Sequence, residues 1–176
     1  MILIRFHGFT LIELLVALAI AALLLTLGVP AFGNLLDRTR LDTEANDLLR
    51  GLRFAREQAI QQQRPVTLAP RIEAQWNQGW VIFLDDNHNG QHDEDESILR
   101  VHTGNPQADM RANMPLSRYV RYNAQGQSQL LNGGFQAGTF RFCPQDLSQQ
   151  GVVMVVNRVG RVRVSREVLP EGLCDE

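Results

Sequence analysis

GFTLIELLVALAIAALLLTLGVP, residues 8–30, decides the reading of this chain. From Phe9 to Leu27 it carries one charge, Glu13, in a run otherwise suited to the interior of a bilayer. A carboxylate there costs roughly 2.5–3.5 kcal/mol on insertion scales, so it calls for a function. The run is about long enough to cross as a helix, given roughly 20 residues per crossing. It follows MILIRFHG, a short leader with Arg5 and His7, and no small-residue cleavage site is well placed after it, which argues against a secretory signal. Pro30 lacks a backbone donor and is expected to bend or loosen the helix.

Beyond Pro30 the helical pattern continues in another form. Leu41, Ala45, Leu48, Leu52, Ala55 and Ala59 recur at alternating intervals of four and three, one apolar stripe opposite a face of Asp, Arg, Glu and Gln. Pro65 ends it. The chain therefore reads as one long helix, apolar all round in its first half and one-sided in its second. The stripe is the face expected to pack on a β-domain. That domain is signalled by Val66–Leu68, Gly79–Leu84, Ile98–Val101, Thr139–Phe142, Val152–Val156 and Arg161–Ser165, short β-rich runs between Gly, Asn, Pro and Gln clusters. The fold class is α+β, with a long N-terminal helix packed on an antiparallel β-rich C-terminal domain.

The 176 residues have a net charge of −2, but that average conceals segregation. Six acids and no arginine fall between Asp85 and Glu96; nine arginines against two acids fall between Ser97 and Arg166. All 17 basic residues are arginine, which fits either a GC-rich genome or bidentate recognition of phosphate and carboxylate. Cys143 and Cys174 lie far apart and outside any CxxC. In an exported domain they would form a disulfide holding the C-terminal tail; in the cytosol they would be two separate thiols.

Gly8-Phe9-Thr10-Leu11-Ile12-Glu13, with a basic leader before it and an apolar helix containing Pro30 after it, resembles the class III signal of type IV pilins and pseudopilins. The resemblance implies cleavage by a prepilin peptidase between Gly8 and Phe9 and methylation of the new amine of Phe9. Glu13 would then be an assembly residue, its carboxylate meeting the N-terminal ammonium of a neighbouring subunit. The alternative is a carboxylate reaching back to the membrane interface. The implied organisation is a leader at 1–8, a membrane and assembly half of the helix at 9–33, an amphipathic half at 34–64 and a periplasmic β-rich domain at 65–176. Other pilins or pseudopilins, the peptidase and the inner membrane are the implied partners, with the subunit incorporated in a pilus or pseudopilus.

Trp80-x-x-Phe83, followed by DDNHNGQHDEDE and a second strand, resembles the GspH/FimT family of minor pilins and pseudopilins. Within that stretch Asp85, Asn87, Asn89, Asp93 and Glu96 match the spacing of a calcium loop, with Gly90 at its centre. Strands flank it instead of helices, and Asn and Gly equally suit a turn, so a solvated acidic hairpin loop is the favoured reading and calcium the alternative. No other cofactor is expected.

VVMVVNRVGRVRVSRE, residues 152–167, reads as a hairpin with Asn157–Gly160 as its loop. Alternation places Val162 and Val164 on one face and Arg161, Arg163 and Ser165 on the other, with Arg158 and Arg166 able to join the arginines. Such arginines keep an edge strand soluble; they also suffice to neutralise several phosphates. Gly160-Arg161-Val162-Arg163 resembles the G-R-x-R motif of FimT-type minor pilins, which implies non-specific binding of double-stranded DNA in natural transformation. The alternatives are a GspH-like pseudopilin of a type II secretion system and a FimU-like pilus-priming subunit, neither binding DNA. No GxSxG, HExxH or phosphate-cradling loop is present, and an enzyme is not expected.

Overall fold

A computed structural model describes residues 10–170 and 172–174, with 27–31 described by their backbone only. The first element, α1, is a helix over Leu11–Gln62. Its backbone stays helical through Gly28 and Pro30, where the sequence suggested an interruption. The chain divides into two units, Met1–Leu36 and Asp37–Glu176.

In the first unit every described large apolar side chain is exposed, from Leu11 and Ile12 to Phe32, Leu35 and Leu36. A helix apolar on all sides needs partners outside its own chain. Among the described residues, no helix is long and apolar enough to cross a membrane. The run expected to do so begins at Phe9, outside those residues.

The second unit contains a complete core. The stripe Leu41, Ala45, Leu48, Leu52, Ala55 and Ala59 is buried, as its spacing requires. Among the described residues eight strands follow: β1 (Val66–Pro70), β2 (Trp80–Leu84), β3 (Ile98–His102), β4 (Asp109–Ala112), β5 (Val120–Tyr122), β6 (Gly138–Cys143), β7 (Gln150–Val156) and β8 (Val162–Val168). They form two antiparallel four-stranded sheets, ordered β3-β2-β1-β5 and β4-β6-β7-β8. Six of these strands are legible as β-rich runs. DMRA of β4 and VRY of β5 are short and interrupted by charge, so neither carries a strand pattern of its own; the ladders supplied by β6 and β1 make them strands.

One core joins the helix stripe to the inner faces of both sheets: Leu68, Trp80, Ile82 and Tyr122 from the first, Phe140, Phe142, Val152, Met154 and Val156 from the second. Trp80 lies against Gly51, where a Cβ would come within 2.6 Å of the indole. Polar groups hold the helix in register with the sheets. Asp37 accepts the Gln145 N–H (2.8 Å), Glu44 meets His102 Nε2 (2.9 Å), and that imidazole stacks on Trp80.

Candidate functional site

Two clusters of like charge were candidates, and the structure treats them differently. The acidic segment joins β2 to β3, antiparallel neighbours, and is therefore a hairpin connection. Its first residue, Asp85, points inward and is fully buried. Its carboxylate accepts the Thr67 hydroxyl (2.8 Å) and the Asn89 N–H (3.0 Å) and ion-pairs with buried Arg121 (3.3 Å). The Arg121 guanidinium also donates to His88 Nδ1 (2.8 Å) and Gln129 (3.4 Å). Glu96 accepts the N–H groups of Asp86 (2.9 Å) and Asp93 (3.2 Å). Asp93 accepts the side-chain amides of Asn87 and Asn89, each at 2.7 Å, which hold its carboxyl below the usual range.

This arrangement fits the favoured hairpin-loop reading better than the calcium alternative for Asp85, Asn87, Asn89, Asp93 and Glu96. A calcium loop converges its oxygens on one point. Here they serve separate donors, and a guanidinium supplies the positive charge beside Asp85. Among the described residues, no group of three or more His, Cys, Asp or Glu is placed to hold a metal ion. Arg121 organises this loop from a strand that the sequence did not reveal. The only hint was an arginine between apolar Val120 and Tyr122.

The arginine hairpin is built as its residues suggest. The Asn157–Gly160 loop links β7 to β8, with the Gly160 N–H donating to Asn157 O (2.9 Å) and the Arg161 N–H to Asn157 Oδ1 (2.9 Å). Gly160 has φ +77° and lies so close to Gly126 that a Cβ would meet its carbonyl oxygen at 2.1 Å. Arg56, projecting from α1, donates to the carbonyls of Gly126 (2.8 Å) and Val159 (3.2 Å) and so fixes the loop from beneath. Its position on the polar side of the helix gave no sign of this role.

Register then sorts the arginines. Val156, Met154 and Val152 point into the core and lie opposite Val162, Val164 and Arg166. Arg166 therefore belongs to β8 and to its inner face, where it pairs with Asp42 of α1 (2.8 Å). That corrects the expectation that Arg166 adds to the same surface. Arg163 lies opposite Val155 on the outer face, and Arg161 and Arg158 precede it in the loop, all exposed. Within the described residues, the guanidinium groups of Arg158, Arg161 and Arg163 make no hydrogen bond or ion pair.

Cys143 and Cys174 form a disulfide (S–S 2.03 Å), which resolves the open alternatives for the two thiols. With Leu169, Val153 and Leu147 they make a small apolar cluster on the outer side of the second sheet.

Gly8 and Phe9 lie outside the described residues. Glu13 is described, and its carboxylate faces its own helix start: Oε2 accepts the N–H and hydroxyl of Thr10 (2.8 and 2.9 Å), while Thr10 Oγ1 accepts the Glu13 N–H (3.3 Å). This is a capping box, with Thr10 as the cap and Glu13 as its third helical residue. The spacing Thr10-x-x-Glu13 carried that signal in the sequence.

Comparison with known proteins follows the same lines. Residues 44–160 match the family described as Type II transport protein GspH, and residues 4–29 match the prokaryotic N-terminal methylation motif. The chain belongs to the GspH family. It is a pilin-like structural subunit and not an enzyme. Pilin-like protein PilA1 of Thermus thermophilus is 31% identical over 119 residues, 62% of this chain and 74% of that protein. The type IV minor pilin FimU of Pseudomonas aeruginosa shares the fold in two crystal forms. In one the TM-score is 0.56 at 22% identity, covering 73% of this chain and 90% of FimU; in the other it is 0.53 at 20%, covering 70% and 91%.

Proposed function

We propose that this GspH-family subunit is a minor pilin, anchored in the inner membrane with its β-domain in the periplasm, that assembles into a type IV pilus-like filament and binds duplex DNA. The all-round apolar, exposed half of α1 supports the assembly role. Cleavage between Gly8 and Phe9 leaves an ammonium at Phe9. Glu13, whose carboxylate offers more acceptor sites than its cap occupies, meets that group on a neighbouring helix. A mature chain that begins with methylated Phe9, read by mass spectrometry, is the expected product; retention of residues 1–8 in the filament would contradict it.

The DNA reading is carried by one observation: Arg158, Arg161 and Arg163 are exposed at one end of the β7–β8 hairpin and have no counter-ion among the described residues. Guanidinium groups so placed are available to phosphates, and nothing beside them reads base edges, so binding is indifferent to sequence. The test is duplex-DNA binding by the full chain in non-ionic detergent at several salt concentrations, beside an Arg161→Ala/Arg163→Ala variant. Salt-sensitive binding lost in the variant is the expected result. No binding by the unaltered chain at low salt would refute it. The second reading, a pseudopilin of a type II secretion system acting through protein contacts alone, is favoured by the family's own description and would then take its place.

A further inference from the structure

The outer face of the second sheet can be laid out row by row from its register. One row holds Asp109, Cys143, Gly151 and Glu167; the next holds Arg111, Arg141, Val153 and Ser165; a third holds Thr139, Val155 and Arg163. Beyond the third row comes the loop with Arg158 and Arg161. The first row is covered at its centre, Cys143 and Gly151, and the cover reaches Val153 of the second row. The disulfide lies there, and Leu169 of the C-terminal tail sits over Gly151, where a Cβ would meet its side chain at 2.6 Å. The acids of this face stand in that row too, and one of them, Asp109, holds Arg111 by its Nε (2.6 Å).

Arg141 is the exception. It is half-buried, lies opposite Arg111, and its guanidinium makes no ion pair or hydrogen bond within the described residues. One row along and two strands across stands Arg163, equally without a counter-ion, roughly 12 Å away for strands 4.8 Å apart and residues 3.4 Å apart. Arg141 and Arg163 stand on one sheet face without a counter-ion among the described residues, with buried Val153 and exposed Val155 between them, the acids Asp109 and Glu167 behind and two more arginines ahead. Together they form a basic surface that runs from the middle of the sheet to the hairpin tip.

We infer that Arg141 is a direct phosphate contact and that the DNA-binding surface is the open part of this sheet face, bordered by the disulfide-held tail. The surface excludes Arg166, which lies on the opposite side of the same sheet. The inference rests on the DNA reading above and extends it from a hairpin to a face.

The experiment compares salt dependence of duplex-DNA binding for the full chain in non-ionic detergent and for Arg141→Gln, Arg141→Lys, Arg166→Gln and Arg161→Ala/Arg163→Ala. Losing one phosphate contact lowers the slope of log K against log[salt] by about 0.9. Arg141→Gln is expected to show that drop, Arg141→Lys to keep the slope because it keeps the charge, and Arg166→Gln to match the unaltered chain. An unchanged slope in Arg141→Gln, while the double variant still loses binding, would overturn this inference and leave the DNA reading standing. Equal loss in Arg141→Gln and Arg141→Lys would also overturn it, since packing and not charge would then matter. An unaltered chain that binds no DNA would overturn both.

Discussion

The acidic loop at 85–96 and the arginine surface at 158–163 look alike as strings of letters: each is a run of one charge beside a strand, with Asn and Gly to turn the chain. Folded, they are opposites. Asp85, Asp93 and Glu96 are occupied by donors from their own loop and from Arg121, and Asp86 makes an ion pair with Arg64, so four of the six acids are satisfied and Glu94 and Asp95 stay exposed. Arg158, Arg161 and Arg163 have no such partners, and the atoms that position them are backbone groups held by Arg56. Charge density therefore does not mark a binding surface. What separates the two regions is whether the fold has already satisfied the charge, and that depends on residues distant in sequence.

The sharpest break in this contrast is Asp85→Ala. It strands the Arg121 guanidinium in the core, and removing one partner of a buried pair costs about 3–5 kcal/mol. Urea unfolding should show that loss, whereas a change below 1 kcal/mol would mean the acidic loop is as open as the arginines. Next is Cys174→Ser, which frees the tail that borders the basic face. A cross-link closing a loop of this length is worth about 2–4 kcal/mol, and the same measurement reads it. Gly160→Ala forces a side chain into a positive-φ position against Gly126 and should cost about 1–3 kcal/mol, with weaker DNA binding as the loop shifts. Arg166→Ala removes a half-exposed pair with Asp42, so about 0.2–1 kcal/mol is expected, and DNA affinity should not move. At the small end, millimolar calcium or a chelator should leave the melting temperature unchanged. A rise with calcium would reopen the loop as a metal site, because a ligand of the folded state raises stability.

How much of this was legible depends on whether a feature is local. The helix stripe from Leu41 to Ala59, the hairpin around Gly160 and the methylation signal at Gly8–Glu13 are short-range patterns, and each could be read directly. The capping box of Thr10 and Glu13 is equally local, carried by their spacing of three residues. Strands β4 and β5 are not legible, because DMRA and VRY become strands only through neighbours 28 or more residues away in β6 and β1. For the same reason nothing local sets Arg121 or Arg141 apart from the other arginines. The side of the sheet occupied by Arg166 follows from the same alternation that sets Val162 and Val164 on one face, but only if the strand extends past Ser165, and β8 runs from Val162 through Val168.

The most direct test of the central contrast reads each arginine separately. The full chain, free and saturated with duplex DNA, would be treated with an arginine-selective dicarbonyl reagent and the modified residues located by mass spectrometry. The account predicts that Arg158, Arg161 and Arg163 react readily in the free chain and are protected by DNA, while Arg121 stays unmodified in both states and Arg166 changes little. Arginines at 158, 161 and 163 that react equally with and without DNA would contradict it.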